Sequence, residues 1–298
     1  MRLLVTGATG YLGWRATTLL RERGHTVTAL ARPDGRDRAA ARGLDTVARD
    51  AGDPAARDLV AGHEVVLHFA GMPDPARARE DPAAAVRANA GTTLNLLEAC
   101  AAHGARLVYP SSIRASVEPS PDPYAASKRL GEEACRLHAA STAVVRLSSV
   151  FGPGQVRWEG ATGAIAAFAA RALEGRPIVI PGDPHRTRDF LYVDDLVGGL
   201  EDLARHGPWD TVLTAASGVS TPLVEAARAA RDAAGTAVEI ELPGGDLPPG
   251  ENESYAPSAP DRRLPLTARP LREAVTAYVD WLRRHPAAQG RAQARTDR

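Results

Sequence analysis

A doubly wound α/β fold, a parallel sheet followed by a smaller mixed C-terminal lobe, is what this sequence predicts, and three observations predict it. Short apolar runs alternate with longer amphipathic stretches through about the first 150 residues, the pattern of successive βαβ units. The first of those runs opens directly into a glycine loop, Gly7-Ala8-Thr9-Gly10-Tyr11-Leu12-Gly13. After about Val150 the character changes: Pro and Gly become more frequent and strands are harder to place.

Taken in order, strands are expected at Arg2–Thr6, Thr26–Ala31, Val65–Phe69, Arg106–Tyr109 and Ala143–Leu147, with a third-position strand closing near Asp50. Each is short, apolar and rich in β-branched residues. Between them, helices are expected at Tyr11–Arg23, Pro54–Ala61, Pro82–Ala102 and Pro123–Ala140, with Gly24 and Gly104 as the glycines that follow two helix ends. In the later part, Thr162–Leu173, Thr221–Ala234 and Leu271–Arg284 read as helices, Pro177–Ile180 and Val238–Leu242 as short strands. The expected organisation is therefore a nucleotide-type domain over 1–150, to which 186–216 returns. A second lobe covers 151–185 and 217–284, and a tail over 285–298 has the composition of a disordered segment.

Composition removes several classes of function. Lys+Arg and Asp+Glu are both 36, so the formal net charge is zero and no overall field draws the chain to nucleic acid or an anionic membrane. An anionic partner must be gripped locally. The two cysteines, Cys100 and Cys135, read as small buried hydrophobes in helices, which fits a reducing compartment. Neither they nor the eight histidines form a metal-ligand cluster, so no metal is expected. The start runs straight into strand and loop with no signal-peptide apolar region, and no apolar run reaches the length of a membrane span; a cytoplasmic protein is expected. Nearly all the basic residues are arginine, and Lys128 is the only lysine in the chain. A lone lysine in so arginine-rich a composition suggests a position where a guanidinium fork does not replace a compact ammonium.

Three glycines at a three-residue spacing between strand and helix let the backbone approach a pyrophosphate, while the helix start supplies free N–H groups and the positive end of its dipole. This is a Rossmann-type dinucleotide loop in GxxGxxG form. At the end of the second strand, 19 positions past Gly13, stands Arg32 where an acidic residue would grip ribose hydroxyls. Arginine suits a 2′-phosphate, so NADP is favoured over NAD, with Arg36 and Arg38 adding charge. Asp50, followed by Ala51, is placed to accept the adenine amino group.

Asp122-Pro123-Tyr124-Ala125-Ala126-Ser127-Lys128 opens a helix with proline in its first turn. Tyr124 and Lys128 lie four apart and share a face. A phenol is a poor acid or base near neutrality, and a neighbouring ammonium lowers its pKa. Ser111 and Ser112 end the strand before it, at the sheet's carboxyl edge, where a hydroxyl can hold a reacting oxygen.

Tyr-x-x-x-Lys with an upstream serine and an N-terminal GxxGxxG resembles the extended short-chain dehydrogenase/reductases, the NAD-dependent epimerase/dehydratase family. The likeness extends over most of the chain. Val66-Leu67-His68-Phe69-Ala70-Gly71 resembles the family's cofactor-lining fourth strand, and Asn89 with Leu94–Ala99 its following helix. Arg146–Gly154 and Arg188–Asp195 resemble its two sugar-nucleotide motifs. The resemblance implies Tyr124 as general acid/base, Lys128 as the group that lowers its pKa and holds the nicotinamide ribose, and Ser112 as the hydrogen-bond partner of the reacting oxygen. It implies a cofactor site from Gly7, Thr9, Gly10, Tyr11, Leu12, Arg32, Asp50, Ala51, Phe69, Ala70, Gly71 and Asn89, with Tyr124 and Lys128. Substrate contacts are implied for Arg188, for Ser149 and, as second choice for the serine role, Ser111. His68 is expected to pack or to orient its strand end. A homodimer through Pro82–Ala102 and Pro123–Ala140 is implied as well.

Three departures narrow the expectation. The family's 4,6-dehydratases carry an Asp-Glu pair where Ile113 and Arg114 follow Ser112. The Tyr-Gly usual after the serine is replaced by Ser116-Val117, and epimerases commonly place Asn at Ser149 and an acidic residue at Arg32. The leading expectation is a ketoreductase acting on a nucleotide-activated sugar. A nucleotide-sugar 4-epimerase is the alternative, and an NADP-binding regulatory protein the remote one.

Overall fold

The computed structural model describes residues 1–160, 162–247, 259–286 and 288, which form two compact units. In chain order the elements are β1 (Arg2–Thr6), α1 (Tyr11–Glu22), β2 (Thr26–Ala31), α2 (Arg36–Ala41), β3 (Val47–Ala48), β4 (Val65–His68), α3 (Pro75–Glu80), α4 (Pro82–Val86), α5 (Thr92–His103), β5 (Arg106–Ser112), α6 (Pro123–Leu137) and β6 (Thr142–Leu147). They continue with β7 (Ser149–Phe151), α7 (Ala164–Leu173), β8 (Ile178–Pro181), β9 (Thr187–Tyr192), α8 (Val193–His206), β10 (Thr211–Ala215), β11 (Ser220–Pro222), α9 (Leu223–Ala234), β12 (Ile240–Gly244) and α10 (Leu271–Arg283).

The first unit comprises Met1–Leu147, Val197–Ala215 and Pro260–Leu266. Its seven-stranded sheet runs β10-β6-β5-β4-β1-β2-β3, and all the pairings are parallel. Parallel strands are covered on both faces, and β4, Val65–His68, is accordingly buried at every residue. Leu4, Leu30, Val66, Leu96, Leu97, Leu107, Tyr109 and Val144 lie in one buried cluster with Cys100 and Cys135. The order of the strands reverses between β1 and β4, the switch point at which open sheets bind ligands beyond their carboxyl ends.

Several boundaries differ from the expectations, for local reasons. Pro54–Val60 forms a 3₁₀ segment capped by Asp53, whose side chain accepts from Ala55 N–H. With only Ala56 and Val60 to bury, it has no apolar stripe to draw out an α-helix. The expected single helix over Pro82–Ala102 is α4 and α5 joined by a π-helical turn at Arg87–Gly91, a widening that sets the buried Asn89 into polar contacts described below. The helix over Pro123–Ala140 stops at Leu137, because His138 turns to extended backbone and its ring Nδ1 accepts from Ala140 N–H.

The second unit comprises, among the described residues, 148–160, 162–196, 216–247, 259, 267–286 and 288, so residues 186–196 belong with it and the chain re-enters the first unit at Val197, inside α8. Its strands form a mixed three-stranded sheet, β11-β9-β7, and a parallel pair, β12-β8. Helices α7, α9 and α10 bury Ile165, Phe168, Leu223, Val275 and Tyr278 in one cluster with Phe151 and Tyr192. Phe151 meets Tyr192 and Tyr278 edge-on, with ring centroids 5.7 and 6.0 Å apart. Most of the tail expected at 285–298 lies outside the described residues.

Where α6 crosses β5, Gly131 lies against the Tyr109 ring: a Cβ there would stand 2.2 Å from the Tyr109 hydroxyl oxygen. Tyr109 is fully buried and its hydroxyl donates to the Lys128 carbonyl at 3.3 Å, so the ring has nowhere to move. Gly131→Ala gains up to about 1 kcal/mol of helix propensity but overpacks at about 1–3 kcal/mol. A net loss, read as a lower urea midpoint, is the expected outcome, and an unchanged midpoint would show that this contact relaxes freely.

Candidate active site

The glycine loop is built by close approach. Gly7 has φ +65°, and a Cβ on it would lie 2.6 Å from the backbone of Phe69 and Ala70 at the end of β4. A Cβ on Gly13 would lie 2.3 Å from the Gly7 carbonyl oxygen. The loop closes with Gly10 N–H donating to that carbonyl at 2.9 Å, and Gly10 caps α1 without any side-chain hydrogen bond. A 12-residue helix thus points uncapped N–H groups out of a backbone too tight for side chains, a cradle that fits a pyrophosphate. Thr9 lies against Gly35 beyond β2. There Arg32 is two-thirds exposed and loosely paired with Asp34 at 3.3 Å. Asp50 accepts from Gly52 N–H at 2.8 Å, and the carbonyl of buried Ala51 accepts from Asn95 at 2.8 Å.

At the carboxyl end of β4 the backbone is fixed by a chain of hydrogen bonds. Ala70 N–H donates to Thr6 Oγ1, and Thr6 Oγ1 lies 2.8 Å from His68 Nδ1. On the other side His68 Nε2 lies 3.2 Å from Thr93 Oγ1, whose hydroxyl donates to the Asn89 carbonyl at 2.6 Å. Since Thr93 has spent its proton, Nε2–H donates to it and Nδ1 accepts from Thr6: a neutral histidine with both nitrogens satisfied. Burial, with the Lys128 charge adding to it, pushes His68 down to about 3. Asn89 itself accepts from Met72 N–H at 2.8 Å and donates to Met72 O and to Ser127 Oγ, tying the loop after β4 to α6. Gly71 is part of that clamp, for a Cβ on it would meet the Asn89 oxygen at 2.5 Å.

Helix α6 presents the Tyr/Lys pair. Asp122 caps it, accepting from Ala125 N–H at 2.9 Å, and Pro123 stands in the first turn. Asp122 is buried and ion-paired with Arg114 from the loop after β5. Tyr124 is half-buried and its carbonyl accepts from Ser127 Oγ. One turn on, Lys128 is buried, with Nζ donating to the Pro110 carbonyl of β5 at 2.8 Å and standing 4.9 Å from the centre of the Tyr109 ring. Burial lowers its pKa to about 8, against which Glu132 acts in the opposite sense. At pH 7 it is still about nine-tenths ammonium. Ser112, at the end of β5, accepts from Arg114 N–H at 3.2 Å. Ser111 donates at 2.5 Å to Glu132, a buried carboxylate that also receives Arg146. Sequence reasoning did not single out Glu132; its signal was an acidic residue one turn past Lys128 on the same face.

In the second unit, Arg188 on β9 is buried and donates to the Thr187 carbonyl at 2.8 Å. The neighbouring Asp195 is taken by Arg269, which grips it with Nε and a terminal nitrogen and lies 4.3 Å over the Tyr192 ring. Asp189 accepts from Ser217 and Gly218 N–H and so holds the turn into β11. Ser149 starts β7, half-buried, in register with Phe190. Among the described residues no group of three or more His, Cys, Asp or Glu could hold a metal ion, and no helix is long and apolar enough to cross a membrane.

A glycine-cradled helix start at the switch point of a parallel sheet, followed by a capped helix carrying Tyr124 and Lys128, defines an extended short-chain dehydrogenase/reductase. The chain belongs to the NAD dependent epimerase/dehydratase family, whose model matches residues 3–212. A UDP-glucose 4-epimerase of Mycolicibacterium smegmatis is 31% identical over 66% of this chain and 71% of its own length. A ceramide reductase of Caulobacter vibrioides is 38% identical over 50% of this chain and 46% of its own length. Among solved structures, the UDP-glucose 4-epimerase of Thermus thermophilus in complex with NAD superposes with a TM-score of 0.79 at 26% identity, covering 95% of this chain and 99% of that one.

The neutral state of His68 has a consequence in acid. Its folded pKa lies below the ordinary 6.5, so the stability it confers is complete above pH 6.5 and is lost as pH falls towards 3. His68→Leu is expected to be less stable at neutral pH yet to lose about 1.4 kcal/mol per pH unit less between pH 6 and 4. Urea melts at several pH values measure this; parallel pH slopes for both proteins would refute it.

Proposed function

We propose that this chain is an NAD(P)-dependent reductase of a keto group on a nucleotide-activated sugar. The observation that carries the reading is the buried Lys128 ammonium, fixed by the Pro110 carbonyl one helical turn from Tyr124. Gly7, Thr9, Gly10, Tyr11 and Leu12 would hold the cofactor's pyrophosphate, with Phe69, Ala70, Gly71 and Asn89 along the end of β4. A dinucleotide held there would supply the hydride for the carbonyl carbon. Tyr124 gives its phenolic proton to the oxygen that becomes the alcohol, and Lys128 stabilises the phenolate left behind. Ser112 enters as a donor to the same oxygen, with Arg114 N–H already on one of its lone pairs. An elimination reading has less support: Ile113 and Arg114 stand where an acid/base pair would be needed, and the Arg114 guanidinium is engaged by Asp122.

NADP is the preferred cofactor in this reading because Arg32, exposed and only loosely paired, suits a 2′-phosphate. The Thermus thermophilus neighbour is a complex with NAD, which favours the second reading, a 4-epimerase that oxidises and re-reduces one carbon. Arg188 is proposed to grip the substrate diphosphate and Ser149 to contact the substrate. A cytoplasmic homodimer through α4, α5 and α6 completes the proposal, supported by exposed Val86, Leu94, Leu130 and Leu137 on those helices.

Purified protein is to be assayed with nucleotide-linked keto-sugars and with NADPH or NADH. A reductase consumes the dinucleotide in proportion to product; an epimerase interconverts nucleotide sugars while retaining cofactor with no net consumption. Tyr124→Phe is expected to lower kcat by about 10²- to 10⁴-fold while leaving dinucleotide affinity within a few-fold. A fully active Tyr124→Phe protein would remove Tyr124 from the chemistry and the reading with it.

A further inference from the structure

Behind Lys128 lies a buried acid that the reaction scheme does not use. Glu132 follows Lys128 by one turn of α6 and is only 6% exposed. Its Oε1 accepts from Ser111 Oγ at 2.5 Å and from Arg146 Nε at 2.9 Å, and its Oε2 accepts from an Arg146 terminal nitrogen at 2.6 Å. A buried carboxylate costs several kcal/mol unless it is paired and hydrogen-bonded. Three donors from two strands, β5 and β6, meet that cost and hold the carboxylate rigidly.

The titratable groups coupled to Lys128 are His68 from β4 and Glu132 and Cys135 from its own helix, with the Tyr109 ring of β5 beneath the ammonium, Tyr124 one turn before it, Cys100 of α5 acting on Cys135 and Arg146 of β6 bound to Glu132. His68 is neutral, burial raises Tyr109 far above its ordinary range, and it pushes both cysteines up to about 12. Apart from Tyr124, the charged groups among these are the Glu132 carboxylate, one helical turn from Lys128, and the Arg146 guanidinium bound to it.

We propose that Glu132, clamped by Arg146 and Ser111, is a positioning residue whose negative charge keeps the buried Lys128 protonated at working pH. Burial alone would drive an amine in this place towards its neutral form; the carboxylate opposes that, and Arg146 holds the carboxylate in place by binding both of its oxygens. This rests on the role given to Lys128 above, but its test does not require turnover.

Because Lys128 is the single lysine of this sequence, growth on isotope-labelled lysine yields one labelled side chain whose NMR shift titrates that ammonium directly in the folded protein. The wild-type midpoint is expected at about 8. In Glu132→Gln it falls by at least about one unit, so the ammonium fraction at pH 8 drops from about a half to about a tenth. Glu132→Asp, which keeps the charge, stays nearer wild type than Glu132→Gln. Should Glu132→Gln not fold, the double variant Glu132→Gln/Arg146→Met removes both charges without leaving either orphaned, and its midpoint still falls, by less. A midpoint that holds within about 0.3 unit or rises in Glu132→Gln, or in the double variant where Glu132→Gln does not fold, overturns the proposal. In turnover, the alkaline limb of kcat should move to lower pH by the same interval. If the titration shifts while Tyr124→Phe stays active, the reductase reading fails and the electrostatic role of Glu132 stands.

Discussion

An ammonium buried in a protein interior is the constraint around which the rest of this structure is arranged. Lys128 is out of water, and its Nζ is held by one backbone carbonyl, that of Pro110, and one aromatic face, that of Tyr109. Both partners come from β5, so the helix that carries Tyr124 is pinned to the central sheet through the lysine. Gly131 lets Tyr109 reach under that helix, and Tyr109 returns a hydrogen bond to the Lys128 carbonyl. The three residues therefore constrain one another, and a change in any of them disturbs the seat of the ammonium.

The same economy governs the loop at the other end of the site. Gly7 and Gly13 permit an approach of backbone to backbone that no side chain tolerates, and the far wall of that approach is the end of β4. That wall is kept in place by polar groups rather than by packing: Thr6, His68, Thr93 and Asn89 pass hydrogen bonds from β1 through β4 to the π turn before α5, and on to Ser127 of α6. The glycine loop and the Tyr/Lys helix are thus linked by a relay in which each proton has an assigned place.

Much of this was legible in the sequence. β1 and β2 match their apolar runs residue for residue, because central parallel strands are buried on both faces and read as unbroken hydrophobic stretches. The loop, Tyr124, Lys128 and Ser112 were visible because rigid chemistry leaves fixed spacings. Other elements left weaker marks. Helices α2 and α3, each of six residues, have too few buried positions to show a period, and β7, β9 and β11 are short and take their pattern from a small mixed sheet. Asn89 stood out as a cofactor-lining residue, but its use as a clamp on Met72 and Ser127 depends on a π turn that no periodicity announces. The pairing of Glu132 with Arg146 was invisible for a different reason: they lie 14 positions apart, and only the pairing of β5 with β6 and the packing of α6 on β5 bring them together.

The burial of the chain's only lysine also bears on how the protein can be handled. Reagents that attack lysine side chains meet a single ε-amine in this sequence, sequestered in the interior and engaged by a carbonyl. Lysine-directed cross-linkers will therefore report almost nothing about its neighbours.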